Sequence, residues 1–434
     1  MISAEQALQL VLDAAQPRPP ARVSLAESLG RVLGEDVASD VDSPPHDKSL
    51  VDGYAVSAGA FGGRAENRLV ELAVIAQIAA GEMPVGKVAR STAVRVMTGA
   101  PIPEGADAVV MVEQAEWQDD PAGPLGVVRF PQGIQVTAGQ NIMRRGASLR
   151  RGQVVLDCGI SILPAQIGLL AEVGRADVAV VPPPQVAVLP TGDELVDVGF
   201  VPGPGKIRNS NGPMLISLAR QAGAVVRDLG VGRDDYPQLA ALVHQGLHAD
   251  ILITAGGVSA GVRDLVPQVL RKAGVAQVFH KVRLKPGKPL WFGVRRAGVE
   301  DQGEAASTLV FGLPGNPVSS FVCFHLFVAP AIARLAGHPR PTAMRVMGRL
   351  SDPFQQGADR ATYHPAWMEH GDPHAVRLIP WRGSADLRAL VDANALAVFP
   401  AENRSYQPGD PVECLLLPAG QNSIWSDQAV RRTL

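Results

Sequence analysis

Apolar positions change their spacing several times along the chain, and each change predicts an element or a domain border. Ser3-Ala4-Glu5-Gln6 has the spacing of a capping box, and Ala7, Leu8, Val11 and Leu12 follow at helical intervals, which predicts an opening amphipathic helix. Gln16-Pro17-Arg18-Pro19-Pro20 ends it, and a second helical piece is expected over Ser24 to Leu33. After Ser43-Pro44-Pro45 the runs become short, alternating and β-branched, as in Val70 to Ile78 and Thr92 to Met97, with Gly and Pro turns between them. Residues 46–145 therefore read as a β-rich insert. Helical spacing returns over Ser161 to Gly174 (Ile162, Ile167, Leu170, Val173), a segment expected to pack on the first two helices. Residues 1–45 and 146–181 then form one discontinuous, helix-containing domain.

Between residues 182 and 338 the order is apolar strand, glycine-rich loop, helix, repeated. Val186 to Leu189 leads into Thr191-Gly192-Asp193-Glu194; Asn211 is placed to cap a helix that Gly223 stops; Val225 to Leu229 is the next strand. Pro237 to His248 is a helix, Ile251 to Thr254 a strand followed by Ala255-Gly256-Gly257-Val258-Ser259-Ala260-Gly261, and Leu309 to Phe311 feeds Gly312-Leu313-Pro314-Gly315-Asn316-Pro317. This alternation predicts a doubly wound, mostly parallel α/β domain whose ligands lie beyond the carboxyl ends of its strands. Short alternating strands resume over residues 339–434 (Arg345 to Leu350, Ala397 to Phe399, Val412 to Leu417), predicting a small β-barrel.

Composition narrows the function classes. A chain of 434 residues fits about three domains at roughly 150 residues each. A formal net charge of −2 argues against a broadly basic nucleic-acid binder. Glu5 stands where a secretory signal is basic, and Val318 to Leu335, the most apolar stretch, carries His325, Pro330 and Arg334 and reads as a buried helix; no export and no membrane crossing are expected, and the protein is placed in the cytoplasm. Cys158, Cys323 and Cys414 are odd in number and far apart, excluding a disulfide framework, and all three are expected as buried thiols.

Three features carry chemistry. The loops Thr191 to Glu194, Ala255 to Asp264 and Gly312 to Pro317 fall on one edge of one sheet, and glycines there let backbone N–H groups approach an anion, although the same glycines also serve tight strand-to-helix turns. Lys281-Val282-Arg283-Leu284-Lys285-Pro286-Gly287-Lys288 holds three of seven lysines; strand alternation puts Lys281, Arg283 and Lys285 on one face and the Pro-Gly turn returns Lys288, making a cationic oxyanion site or a lysine-defended edge strand. Asp193, Glu194, Asp234, Asp235 and Asp264 lie in or beside these loops, suited to Mg²⁺ beside a polyphosphate, with Asp193, and the pair Asp234 and Asp235 before Pro237, equally suited to capping helices. His244 and His248, four apart on a helix without a third ligand, read as packing or surface residues.

Six stretches in this order resemble the motifs of the molybdopterin molybdenumtransferase family, the bacterial MoeA proteins and the E domain of gephyrin and its plant relatives: Val51-Asp52-Gly53-Tyr54-Ala55-Val56, Val96 to Pro103 with Thr98 and Gly99, Thr191-Gly192-Asp193-Glu194-Leu195, Gly256-Gly257-Val258-Ser259, Lys285-Pro286-Gly287-Lys288-Pro289 and Leu313-Pro314-Gly315-Asn316-Pro317-Val318-Ser319. The resemblance covers essentially the whole chain. It implies a MogA-like α/β domain, four-domain subunits in a homodimer, and a pterin site facing the β-rich insert of the partner. It also implies insertion of molybdenum from molybdate into adenylated molybdopterin with metal-assisted hydrolysis to AMP, and a molybdopterin adenylyltransferase as partner. Carried over by motif, Asp52, Thr98, Glu194, Asp234, Asp264, Lys285 and Lys288 are the catalytic group, with Asp264 on Mg²⁺. Thr191, Gly192, Gly256, Gly257, Ser259, Pro314, Gly315, Asn316, Pro317 and Ser319 line the pterin and oxyanion pocket, and Arg360 and Ser384 reach it from the last domain.

The chain also departs from the family pattern. Ser49-Leu50-Val51 replaces Ser-Ala-Met, Ala147-Ser148 replaces an acidic pair after Arg144-Arg145-Gly146, and Val262-Arg263 puts a cation where an acid precedes Asp264. A non-catalytic pterin carrier or scaffold is the alternative these losses leave; a nucleotide-dependent phosphotransferase ranks last, since no Walker or Rossmann loop is present.

Overall fold

The computed structural model describes residues 1–62, 69–120, 124–257, 265–296, 307–357, 359–371 and 373–418. Contacts divide the chain into two units. One comprises Met1–Gly34, Gly159–Leu163 and Val178–Leu434; the other comprises Glu35–Cys158 and Pro164–Asp177.

The α/β part of the first unit is built from a six-stranded sheet, one short strand beside it and the helices between them. The strands are β1 (Gln185–Pro190), β2 (Val225–Asp228), β3 (Ile251–Ala255), β4 (Ala276–His280), β5 (Leu284–Lys285), β6 (Trp291–Arg296) and β7 (Ser307–Leu313). All but β5 form one sheet in the order β2-β1-β3-β7-β6-β4. The first three neighbour pairs are parallel, and β6 runs antiparallel to both β7 and β4. Ile251, Leu252 and Ile253, like Val186 to Leu189, are buried on both faces, as strands covered by helices on either side must be. Alternation sends Val186, Val188, Ile251 and Ile253 to the face holding Leu215 and Leu218, and Ala187, Leu189 and Leu252 to the face holding Leu239, Val243, Val269 and Leu270. The chain leaves β1 for β2 on one side and β3 on the other, so strand order reverses between β1 and β3, the position where such sheets open a crevice at their carboxyl ends.

The helices of this unit include α1 (Ala4–Ala14), α2 (Asn211–Gln221), α3 (Tyr236–Gly246), α4 (Leu265–Lys272), α5 (Pro317–Cys323) and α6 (Ala329–Leu335), the last two joined by a π turn at Phe324–Val328. Ser3 and Gln6 close the expected capping box on α1. Its buried face, Ala4, Ala7 and Val11, packs into the α/β core with Phe324, Phe327 and Leu335. The apolar run Pro317–Leu335 is long enough to cross a bilayer, but 78% of it is buried inside the protein.

That run holds His325, 5% exposed between Phe321 and Phe324, with Nε2 lacking any partner among the described residues. Burial pushes its pKa down to about 4. The folded state thus refuses a proton that the unfolded chain accepts near pH 6.5, so stability falls as the pH drops below 6.5 and stops falling near pH 4, at about 1.4 kcal/mol per unit. Urea melts of wild type and His325→Leu at pH 7 and pH 5 should show the wild type losing more stability than the variant; equal losses would mean this histidine is not the acid-sensitive group.

Strands β8 (Arg345–Leu350), β9 (Ala361–Met368), β10 (Ala375–Leu378), β11 (Ala395–Phe399) and β12 (Pro411–Leu416) close on themselves in the order β9-β10-β8-β12-β11-β9, a five-stranded barrel. Ala366, Met368, Val376, Phe399 and Cys414 fill it. The two residues of β5 add to β9 in parallel, Leu284 opposite Ala361 and Lys285 opposite Thr362. The lysine segment is thereby sewn to the barrel.

The second unit centres on a sheet in the order Ala108–Met111, Gly53–Val56, Thr92–Val96, Val70–Ile78, Val127–Phe130, Glu116–Gln118, the expected β-rich insert. Tyr54, Phe61, Leu72, Val110 and Phe130 form its core. Gly53 is required there, because a Cβ would lie 2.2 Å from the carbonyl oxygen of Val110.

Four expectations are corrected. Ser24 to Leu33 is not a helix beyond the 3-10 turn Leu25–Glu27; Gly30 adopts φ +76° and Val32 and Leu33 pair with Val181 and Val180. The helix Pro164–Glu172 forms as expected but lies in the second unit, while α1 packs on the α/β core of the first. Cys158 is exposed, on a turn whose backbone N–H bonds to the Asp36 carboxylate; Cys323 and Cys414 are buried. Asn211 is the first residue of α2, and the Asn209 side chain accepts the Gly212 N–H instead.

Candidate active site

Two backbone bonds carry the sheet past its strand ends into the loops: Thr191 N donates to Ala255 O at 2.9 Å, and Gly256 N to Leu313 O at 3.1 Å. The three glycine-bearing loops thus meet at the reversal point. Gly256 has φ +103°, and a Cβ there would sit 2.5 Å from the Thr191 carbonyl oxygen; one on Gly257 (φ +61°) would sit 2.8 Å from Val266. A Cβ on Gly315 would lie 3.7 Å from the Gly256 Cα, so the third loop abuts the second. Asn211 Nδ2 donates to Gly315 O at 2.7 Å. Its Oδ1 and the Thr191 hydroxyl are buried with no partner among the described residues, a pair of unfilled polar atoms of the kind a bound ligand satisfies. Thr191 and Gly192 are buried, Pro314 is buried, and Gly315 and Asn316 are exposed at the rim. Ser259 and Asp264 lie outside the described residues.

The lysine segment does not run as one strand. Lys281 takes φ +70°, so only Arg283 and Lys285 keep the alternation, with Val282 and Leu284 buried between. The Lys285-Pro286 peptide is cis, and Val282 N donates to Lys288 O at 3.0 Å, which returns Lys288 as expected. Lys285 and Lys288 are both exposed. Gly287 seats this turn on α5, where Cys323 Sγ donates to its carbonyl. The lysines are therefore fixed to the helix that follows Asn316.

The segment around Ser384, between two barrel strands, meets the third loop. Asn316 leaves α5 uncapped by its side chain and donates through Nδ2 to the Ser384 hydroxyl at 2.8 Å; Ser384 O in turn accepts the Val318 N–H at 3.0 Å, filling one of the orphan donors of that helix start. Ser319 is buried in the first turn of α5, and Pro317 opens it. Arg360 pairs with Asp359 at 2.7 Å, just before β9 meets β5. The Arg360 guanidinium, and further off the Lys285 ammonium, hold the Asp359 carboxyl below its ordinary range. His364, on β9, has a lowered pKa, first through burial and then through Lys285. It packs edge-on to Trp381, three residues before Ser384. Asp359, His364 and Trp381 went unmarked in the sequence because nothing local ties residues 359–384 to residues 285–318.

The acidic residues divide by role. Asp235 caps α3, accepting the Gln238 N–H. Asp193 caps no helix, since a turn and a two-residue strand follow it; its carboxylate accepts the Asp234 N–H at 3.1 Å and joins the first loop to the one after β2. Glu194 and Asp234 are exposed. No three His, Cys, Asp or Glu side chains gather into a metal cage among the described residues. Separate exposed carboxylates at a crevice fit a divalent cation that takes its other ligands from substrate oxygens, which is how Mg²⁺ is usually held. In the second unit, Asp52 Oδ1 accepts from both the N–H and the hydroxyl of Thr98, at 2.6 and 2.7 Å, and these bonds keep its carboxyl below the usual range. His244 and His248 stack edge to face on the outside of α3's last turn.

Three family descriptions match in succession: MoeA N-terminal region (domain I and II) over residues 2–174, probable molybdopterin binding domain over 187–334, and MoeA C-terminal region (domain IV) over 347–417. Among curated proteins, the molybdopterin molybdenumtransferase of Bacillus subtilis (strain 168) is 34% identical over 95% of this chain and 93% of its own length. That of Staphylococcus aureus (strain N315) is 34% identical over 96% and 95%. Among solved structures, a molybdopterin biosynthesis MoeA protein from Pyrococcus horikosii superposes with TM-score 0.80 at 30% identity, over 97% of this chain and all of that one.

Proposed function

This chain belongs to the MoeA family, and from that premise we propose that it inserts molybdenum from molybdate into adenylated molybdopterin, releasing AMP, during molybdenum cofactor biosynthesis. The observation that carries this reading is the meeting of the Thr191, Gly256 and Gly315 loops at one strand reversal, with Ser384 bonded to Asn316 at the end of the third; the proposal adds Lys285, Lys288 and Arg360 as the cations of that crevice. Backbone N–H groups and the Thr191 hydroxyl receive the pterin phosphates, while the exposed ammonium groups of Lys285 and Lys288 hold the tetraoxo anion beside them and offset charge that develops as the adenylate departs. Held in one crevice, the two substrates react as if at very high concentration.

Glu194 and Asp234, with Asp264, are the carboxylates we assign to Mg²⁺. When bound, that ion neutralises phosphate charge and polarises the phosphoryl bond that water cleaves. The same proposal includes domain bounds at residues 46–145, 182–338 and 339–434. It also includes a homodimer in which the Asp52–Thr98 pair of one copy serves the other, a cytoplasmic location, and a molybdopterin adenylyltransferase that delivers the substrate.

Purified protein mixed with adenylated molybdopterin, molybdate and Mg²⁺ should release AMP, and a chelator should stop the release. AMP that stays bound to the pterin while the pterin binds tightly would replace catalysis with the carrier role.

A further inference from the structure

Arg233 stands in the loop after β2, outside every motif discussed above. Its Nη1 donates to three backbone carbonyls of the first site loop: Leu195 at 2.8 Å, Gly192 at 3.2 Å and Asp193 at 3.3 Å. Three carbonyl oxygens turned towards one point repel one another unless a cation sits there, and the half-buried guanidinium is that cation. Lys206 Nζ adds a second positive charge to the Asp193 carbonyl at 2.8 Å.

The consequence follows from peptide planarity. In a trans peptide the N–H of each residue points opposite to the carbonyl of the residue before it. Neither peptide here is cis. With the carbonyls of Gly192 and Asp193 drawn to Arg233, the N–H groups of Asp193 and Glu194 face away from it. Neither donates a hydrogen bond among the described residues, and both residues are exposed. Gly192 permits this turn through φ +143°, and a Cβ on it would collide with the Glu194 carboxylate at 2.5 Å.

We infer that Arg233 is a positioning residue that pulls the Gly192 and Asp193 carbonyls inward and so presents the Asp193 and Glu194 N–H groups as a paired donor for a phosphate oxygen of the substrate. Two such amides on consecutive residues form an anion-binding concavity of the kind that cradles phosphate elsewhere. The geometry also binds the loop after β2 to the loop after β1, because Gly192 N donates to Gly232 O at 3.0 Å and Gly232 N to Pro190 O at 2.9 Å. The inference rests on the phosphate-binding role proposed above for this crevice.

Arg233→Met and Arg233→Lys test it, with dissociation constants for adenylated molybdopterin and for molybdate measured on each folded variant. Arg233→Met should weaken adenylated pterin at least tenfold and leave molybdate affinity within twofold, since Lys285 and Lys288 are untouched. Arg233→Lys keeps the charge but lacks the planar fork, and its pterin affinity should fall between the two. Unchanged pterin affinity in Arg233→Met, or equal losses for pterin and molybdate, would overturn the assignment. Wild type that fails to bind adenylated pterin would defeat the functional reading itself, a separate result. Should Arg233→Met not fold, pterin affinity in Arg233→Lys equal to wild type would overturn the inference by itself.

Discussion

Lys285→Ala should cut AMP release and molybdenum insertion by about a hundredfold or more while leaving the fold unchanged. Both halves of that expectation come from where the side chain stands. The residue is exposed on a two-residue strand whose pairing with β9 uses only backbone atoms, so removing the ammonium leaves the ladder to Thr362 intact. A change on such a surface shifts stability by about 0.5 kcal/mol or less. What it removes is an exposed ammonium on the segment that Cys323 ties to α5 and β9 ties to the barrel, where we propose that the anionic reactants meet. Single-turnover AMP release beside a thermal melt reads both quantities. Wild-type turnover in the variant would strip Lys285 of its role; a large fall in melting temperature would make it structural. Lys285→Arg, which keeps the charge on a longer planar head, should retain part of the activity.

Gly256→Ala should fail for a different reason. At φ +103° an L side chain is strained by about 1–3 kcal/mol, and the added Cβ meets the Thr191 carbonyl at 2.5 Å. Relief comes only by parting the ends of β1 and β3, which breaks the Thr191 N to Ala255 O bond and opens the crevice. Both stability and pterin affinity should drop. Gly274 is the control: it has φ +81° with nothing within 4 Å, so Gly274→Ala carries backbone strain without the collision and should lose about 1 kcal/mol while binding substrate normally. Denaturant melts and pterin titrations of the two variants separate strain from displacement; equal binding losses would mean that crowding at Gly256 is unimportant.

The α/β sheet was legible because β1, β3 and β7 are continuous apolar runs followed by glycine, a pattern that survives without knowledge of partners. The loops at their ends, with Thr191, Gly256 and Gly315, were legible for the same reason, and the strand order then places all three at one reversal. The misreadings share a cause. Ser24 to Leu33 has helical spacing, but Val32 and Leu33 pair with Val181 and Val180, nearly 150 residues away, and that pairing overrides local preference. Lys281 to Lys285 alternates as a strand should, but the positive φ at Lys281 confines the strand to two residues, too short to carry a pattern.

Long-range joins were visible only through the family resemblance. The resemblance assigns Ser384 to the pocket, and the structure joins it to the third loop: Asn316 gives its side-chain N–H to the serine hydroxyl instead of capping its own helix. Arg144 and Arg145, beside the missing acidic pair, are held by Asp47 and Asp42, so that turn keeps its carboxylates from upstream residues. No periodicity encodes such a pairing, because its two halves lie about a hundred positions apart.

A crystal structure with adenylated molybdopterin and molybdate bound tests the central claim most directly. The pterin phosphates should rest on the amides of the Thr191 and Gly256 loops, with the tetraoxo anion within hydrogen-bond reach of Lys285 or Lys288 and of Ser384. Pterin and molybdate bound in separate places, or phosphates seated away from the β1–β3 reversal, would contradict it.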